Sequence, residues 1–474
     1  MPRNFKLILI IAVHFLSFPL TAQHYNGNSF YSTQGLGDFL PHGNIRNIGM
    51  GGIGLSTSHT DFINNANPAL LHANKNLNLD SAGGNRHSVF DAAMVLTLQD
   101  SRTSNGNLTN ISANFNYFSY AIPLPFSTDS KLHNRWTTNI GIQQFTKVNY
   151  RATFRDAIAG GSPGDSAIYS YAGNGGLYEA YWGNGIDITR NLSAGLQLSY
   201  IFGNRTDESI IQFIIPPYQQ NQNLLSQKTN HNAIHIKPGI AYRKEITGIK
   251  GKTISDKEAE EKQTIKRDPD KAVYFNVGLV YELFTAVHGK QIVSSEQRDS
   301  LNRVLSQNIL DTINRNVNIP SVYRLGISFD KPKSWSIGTD FSFSPWTTYS
   351  GFDKNNKFTN SFTFALGGER YLSSVSKRNR NEDAARKIIR AGFTFTKMPF
   401  LINNQQINDI SVSLGGSIPL TGGQKRIINS APPTKLNLAL IAGERGGNVV
   451  KELYVKLYLG IIISDFWFLK SKVD

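Results

Sequence analysis

The feature that most constrains this chain is a repeated run of about eleven residues in which apolar and polar side chains alternate with a period of two. Leu453 to Ile463 puts Leu453, Val455, Leu457, Leu459, Ile461 and Ile463 on one parity, against Tyr454, Lys456, Tyr458, Gly460 and Ile462. Leu192 to Phe202, Val273 to Leu283 and Trp335 to Phe343 repeat the pattern. Successive side chains of a strand point to opposite faces, so each run carries one continuous apolar face. Length decides what that face meets. Soluble strands average about 5–6 residues, whereas strands crossing an outer membrane need about 9–11. Ten residues at a rise of about 3.3 Å, tilted about 45°, span roughly 24 Å, close to the apolar band of a membrane barrel. The runs therefore predict lipid-facing strands rather than a buried sandwich core.

About fourteen such segments begin near residues 88, 112, 135, 177, 190, 232, 272, 321, 333, 357, 387, 407, 433 and 449. An even count returns the chain to its starting side, as bacterial barrels require. Turns at Thr189 and at Lys331-Pro332 are very short, while 149–176, 204–231 and 285–320 are long and lie on the opposite side. Short turns are expected in the periplasm and long loops outside the cell. Two connections on the periplasmic side, 244–271 and 368–386, depart from this; the first carries eight basic and seven acidic residues and reads as a solvated or helical insert. Aromatic residues near strand ends, namely Tyr281 with Phe284, Trp346 with Tyr349, and Phe466 to Phe468, suggest interfacial girdles.

The N-terminus reads as a signal peptide over 1–23. Arg3 and Lys6 precede an apolar stretch from Leu7 to Phe18, and Leu20-Thr21-Ala22-Gln23 offers cleavage after Ala22 or Gln23. No later stretch is apolar for the 18 or more residues of a membrane helix. These features place the protein in the outer membrane of a Gram-negative cell, against outer-membrane lipid. Lys and Arg number 49 against 34 acidic residues, but no compact basic stripe with interleaved aromatics points to nucleic acid. A basic surface facing lipid phosphates explains the balance more simply. Arg378, Arg380, Arg386, Lys387 and Arg390 cluster near a periplasmic turn, suited to anionic headgroups or a partner protein.

The absence of cysteine excludes disulfides, thiolate metal sites, cysteine nucleophiles and lipidation at an N-terminal Cys. His231 and His235 stand four apart, but on a strand that spacing does not converge on a metal. No H-E-x-x-H or P-loop occurs, and Gly160-Gly161-Ser162-Pro163-Gly164, which fits G-x-S-x-G literally, falls within a long loop rather than between a strand and a helix. The sequence predicts neither an enzyme nor a bound cofactor or metal.

Residues 24–87, rich in Gly and Asn, are too few and too polar for an ordinary independent core. They read as a plug, or hatch, within a barrel formed by 88–474. Gly49-Met50-Gly51-Gly52-Ile53-Gly54 fits G-x-G-x-x-G literally, but without the flanking strand and helix of a dinucleotide site. Gly49, Gly51, Gly52 and Gly54 are better read as allowing close backbone packing in the plug.

Three segments then carry a family resemblance. Tyr31-Ser32-Thr33-Gln34-Gly35-Leu36-Gly37-Asp38, Asn47-Ile48-Gly49-Met50-Gly51-Gly52 and Asn64-Asn65-Ala66-Asn67-Pro68-Ala69 resemble the hatch of FadL-type outer-membrane long-chain fatty acid transporters. The C-terminal part is similar to the Bacteroidota branch, through Arg390-Ala391-Gly392-Phe393, Ile407-Asn408-Asp409, Gly415-Gly416-Ser417-Ile418-Pro419-Leu420 and Phe466-Trp467-Phe468-Leu469-Lys470. The resemblance implies an all-β, 14-stranded transmembrane antiparallel barrel with an N-terminal hatch. It also implies a hydrophobic ligand inside, leaving sideways beside a kinked strand. Asn67, Pro68 and Ala69 match the family's hatch motif, and their simplest role is an Asx-Pro turn.

Within the long loops, Ile210, Ile211, Phe213, Ile214 and Ile215 form an apolar run that is costly to leave in water. Ser294 and Gln297 suggest a helix cap, with Leu301, Val304, Leu305 and Ile309 on one helical face. Together these predict an extracellular hydrophobic groove, or a lid whose apolar faces satisfy each other. Two functions follow: passive uptake of hydrophobic small molecules such as long-chain fatty acids, or an accessory FadL-like barrel in an outer-membrane secretion or barrel-assembly complex.

Overall fold

In a computed structural model, the described residues are 29–41, 43–59, 61–74, 87–103, 106–124, 135–158, 160–215, 218–246, 272–299, 301, 303–352, 358–372, 387–420, 434–447 and 450–466. The signal peptide, most of the two charged connections, Arg378, Arg380, Arg386 and the closing Trp467 and Phe468 lie outside them. The wall is a closed antiparallel barrel of fourteen strands. A two-residue strand, β1 (Asp38–Phe39), belongs to the N-terminal segment. The wall begins with β2 (His87–Thr103) and β3 (Gly106–Pro123). Its third strand is broken at Phe145 into β4 (Trp136–Gln144) and β5 (Thr146–Ala157). Then follow β6 (Ser166–Asp187), β7 (Leu192–Ile215) and β8 (Tyr218–Glu245). Two more interrupted strands come next, β9 (Tyr274–Phe284) with β10 (Val287–Arg298), and β11 (Val304–Val317) with β12 (Val322–Lys331). The wall ends with β13 (Trp335–Ser344), β14 (Ser361–Tyr371), β15 (Ile388–Ile402), β16 (Gln405–Pro419), β17 (Lys435–Gly446) and β18 (Val450–Phe466). Closure runs from Val450↔Thr103 to Phe466↔His87, so every strand of the ring has two neighbours for at least part of its length.

The apolar faces point outward. Leu279 and Tyr200 are each 51% exposed and Ile337 is 50%, whereas Asn276, Glu282, Gln197 and Asp340 on the opposite parity are buried inside. An aqueous protein would bury the other face; a barrel wetted outside by lipid keeps this one.

Length separates two halves of the wall. β13 and β14 have 10 and 11 residues, what a bilayer needs, while β6, β7 and β8 have 22, 24 and 28. At the end opposite the short turns, β5, β6, β7, β8, β10 and β11 continue beyond the barrel as one six-stranded sheet. This corrects the reading of 149–176, 204–231 and 285–320 as loops, and of Ser294 to Ile309 as helical. Ser294 pairs with both Ser226 and Ile309, because β8 offers an unfilled row of backbone donors and acceptors that outweighs a local cap signal.

Residues 29–74 occupy the barrel interior. Beside β1 they hold a one-turn helix, α1 (Ile45–Ile48), capped by Asn44, whose side chain accepts from the Asn47 N–H, and a 3-10 stretch over Pro68–Asn74.

Candidate functional site

The N-terminal segment touches the wall through backbone. An added Cβ on Gly392 would lie 2.1 Å from the Gly51 nitrogen, on Gly367 2.1 Å from the Met50 carbonyl oxygen, and on Gly278 1.8 Å from the Leu55 carbonyl oxygen. Pro68 presses on Gly185, Gly195 and Gly239, which are directly paired across β6, β7 and β8. Only glycine permits this approach. The wall glycines at inward parity were legible in the sequence, one near the middle of many alternating runs, although the reading above passed over them.

The residues of the glycine motif lie in the turn after α1. Gly49 faces the Cα of Gly415, and Gly51 and Gly52 have φ +71° and +85°. Gly54 donates its N–H to Asp340 Oδ2 at 2.7 Å, and the Leu55 N–H donates to the same oxygen at 3.0 Å. Asn67 Oδ1 accepts from the Ala69 N–H at 3.0 Å, while its amide nitrogen donates to the Leu55 carbonyl at 2.7 Å and to that of Ile240 at 3.3 Å. Asn67, Pro68 and Ala69 thus form a turn held against β7 and β8.

Buried charge pins the same segment. Arg46 reaches Glu369 at 2.7 Å, and Arg390 reaches the other carboxylate oxygen at 3.1 Å. Arg445 joins Asp38 at 2.8 Å and Asp409 at 2.7 Å. Arg390 therefore faces the lumen, which corrects its place in the exposed basic cluster. Glu179 accepts from His235 Nδ1 at 2.7 Å and from Gln143 Nε2 at 2.6 Å, and the His235 ring stacks on Phe284 at 4.3 Å. The sequence reading missed these charges; their signal is an acidic or basic residue at inward parity within an otherwise regular strand. Among the described residues no group of three His, Asp or Glu could hold a metal.

Above the segment lies a cavity of about 320 Å³. Phe39, Phe145, Phe284, Trp346, Phe362 and Phe400 supply its apolar surface, and Glu282, Arg324, Asp340, Asp409, Arg445 and Lys456 its charged groups. Trp346 and Phe284 are turned inward here, which corrects their assignment to an outer aromatic girdle: Trp346 packs edge-on against Phe39 at 5.3 Å.

Where Phe145 borders this cavity, the wall is partly unzipped. β3 pairs with β4 only from Tyr117↔Gln143 to Pro123↔Thr137. Beyond the break at Phe145, the β5 backbone pairs with β6 on one side and on the other with the N-terminal segment, through Asp38↔Lys147 and Phe39↔Thr146. The Ser29 N–H adds a bond to the Asn149 carbonyl at 3.0 Å. Residues 106–115 of β3 pair with β2 alone. Phe145, wholly buried against Phe39, turns the wall strand inward at that point.

The predicted groove residues sit on the six-stranded extension. Ile210, Ile211, Phe213, Ile214 and Ile215 are half-buried on β7, where alternation sends Ile210 and Ile214 to one face and Ile211 and Phe213 to the other. Leu301 lies in the β10/β11 turn and Val304 and Leu305 on β11; all three are exposed, and β8 and β10 separate them from β7.

Comparison with solved structures shows the same fold. A FadL homologue of Pseudomonas aeruginosa matches with a TM-score of 0.53 at 10% identity, covering 90% of this chain and 99% of that one. The toluene transporter TbuX of Ralstonia pickettii matches at 0.50 and 12%, covering 90% and 99%. CymD, a monoaromatic hydrocarbon channel, matches at 0.50 and 12%, covering 90% and 98%. These are channels and transporters rather than enzymes. No curated protein matches the sequence. The match to one protein family spans residues 4–474, from the N-terminal segment through the whole wall, and the chain belongs to the BamG family.

Proposed function

We propose that this protein is an outer-membrane barrel for passive uptake of hydrophobic small molecules, long-chain fatty acids among them. A ligand enters the cavity above the N-terminal segment, which serves as a hatch, and leaves sideways between β3 and β5. The observation that carries this reading is a ligand-sized cavity that reaches, at Phe145, the strand break where the wall comes apart, with the axial route closed by backbone on glycine. The fold shared with a toluene transporter and a hydrocarbon channel supports it. Apolar burial at about 25 cal/mol per Å² supplies the affinity, and a charged group such as Arg324 orients a polar head. Flux follows the concentration gradient. The test is uptake of a fluorescent fatty acid by vesicles holding the wild type or Ser342→Trp, which fills the cavity. The variant should melt normally and transport severalfold more slowly; equal rates would remove the cavity from the route.

A second reading, an accessory subunit of a secretion or barrel-assembly complex, is favoured by the extension. Leu301, in the β10/β11 turn, and Ile309, on β11, are 72% and 71% exposed, in a sheet whose β8 has 28 residues, far more than a bilayer requires. Gentle detergent extraction separates the two readings. A lone barrel carrying lipid supports uptake, and a stoichiometric large assembly supports the accessory role.

A further inference from the structure

The unzipped wall holds a second, smaller cavity, which shares Lys456 with the first. It measures about 50 Å³, room for one small polar group rather than an acyl chain, and lies between Ser29 and Ser32 of the N-terminal segment and the inner faces of β2, β3, β5 and β18. Its floor is one row across the wall. Lys456 of β18 pairs with Thr97 of β2, and Thr97 pairs with Ser112 of β3. Across the gap, Lys147 Nζ of β5 donates to Ser112 Oγ at 3.3 Å.

Two amides close the site. Gln99 and Asn116 are 8% and 7% exposed, and the side-chain nitrogen of each is buried without a hydrogen-bond acceptor. A buried amide N–H without a partner is costly, so two of them lining one cavity mark a place where something accepts. The charges agree. Asp38 and Asp409 are taken by Arg445, and Glu452 accepts from Ser29 and from the Phe30 N–H. Asp38 Oδ1 borders the cavity without a partner and opposes an anion there. Among the described residues, Lys147 and Lys456 face no carboxylate within ion-pair distance; Lys147 contacts the Ser112 hydroxyl, and Lys456 lies 4.7 Å from the Tyr454 ring.

We infer that this is a binding site for an oxyanion, the carboxylate or phosphate head of an amphiphile whose tail lies in the seam between β3 and β5. Two ammonium groups and two amide donors complement such a head. The oxyanion site needs only the barrel, while a fatty-acid occupant rests on the sideways route proposed above.

The test is calorimetric titration of the full-length barrel, purified in a neutral detergent, with octyl phosphate, inorganic phosphate and octanol. Octyl phosphate should saturate at one equivalent, and K147Q and K456Q should each weaken it about tenfold. K147R and K456R should retain it. Q99L removes a neutral donor, so loss of affinity there, at unchanged net charge, separates a built site from general attraction to a basic surface. Unchanged melting of each variant establishes that it folds. Inorganic phosphate binding as tightly as octyl phosphate would keep the oxyanion site and assign it to a free anion, overturning the amphiphile. Octanol binding as well as octyl phosphate, or Gln variants equal to the wild type, would overturn the site itself.

Discussion

Glu369 stands between two guanidinium groups inside the barrel, and neither arginine has another acid within ion-pair reach among the described residues. Breaking a buried pair by removing one partner leaves an uncompensated charge and costs about 3–5 kcal/mol, far more than the intact pair contributes. Glu369→Gln should therefore lower the unfolding free energy by about that amount, read by denaturant titration in detergent. A loss under about 1 kcal/mol, the range of exposed pairs, would mean that water reaches the cluster. His59 tests the same interior by pH. Its ring stacks on Tyr371 and meets Phe62 edge-on, its Nδ1 accepts from the Asp61 N–H, and burial pushes its pKa down from 6.5 to about 3. The unfolded ring takes a proton below about 6.5 that the folded ring refuses, so stability present above that pH is lost as pH falls toward 3. In His59→Asn that part of the pH slope should vanish; an unchanged slope would show the imidazole to be charged in the fold. At this scale the sequence was half legible. Inward charges stand out as polar residues on the polar parity, but that residue 46 meets residue 369 depends on a closed wall, which alternation does not encode.

Among the elements, all fourteen wall strands were readable, because lipid on one side and a filled lumen on the other impose alternation along each crossing. What alternation cannot supply is where a strand stops. The apolar run at Ile210 to Ile215 and the spacing from Ser294 to Ile309 suited a loop and a helix equally well, and cross-strand hydrogen bonding from β8 decided both. The glycines show a further limit. A glycine within a strand weakens it, and its value appears only where another backbone arrives. Gly392→Ala should push the N-terminal segment off β15, since its Cβ would fall 2.1 Å from a backbone nitrogen, whereas Gly416→Ala meets nothing nearer than 3.4 Å. Cells carrying Gly392→Ala should become sensitive to large antibiotics that the wild type and Gly416→Ala exclude. Equal sensitivity would mean that the segment yields without opening the lumen.

The whole molecule is lopsided: six strands rise beyond the membrane on one side, and the unzipped wall lies along the margin of that sheet. The seam left no mark in the sequence, because β3 and β5 keep their alternation where they part and only the pairing changes. If the rising sheet holds partners, shortening the β7/β8 hairpin at the paired Ser209 and Leu225 should leave insertion and melting intact while abolishing any large assembly. An assembly that survives would place the interface elsewhere. The N-terminal contacts carry a consequence in time. Ser29 and Phe30 bond Glu452, Tyr31 bonds the Val450 carbonyl at 2.6 Å, and Asp38 bonds Arg445, so residues made before the wall are held by its two closing strands. The last strand is also the one that joins β2 to complete the ring. Whatever inserts this chain must keep the open sheet curled around residues 29–74 until the final strand arrives, since a ring that closed early would shut its own filling outside.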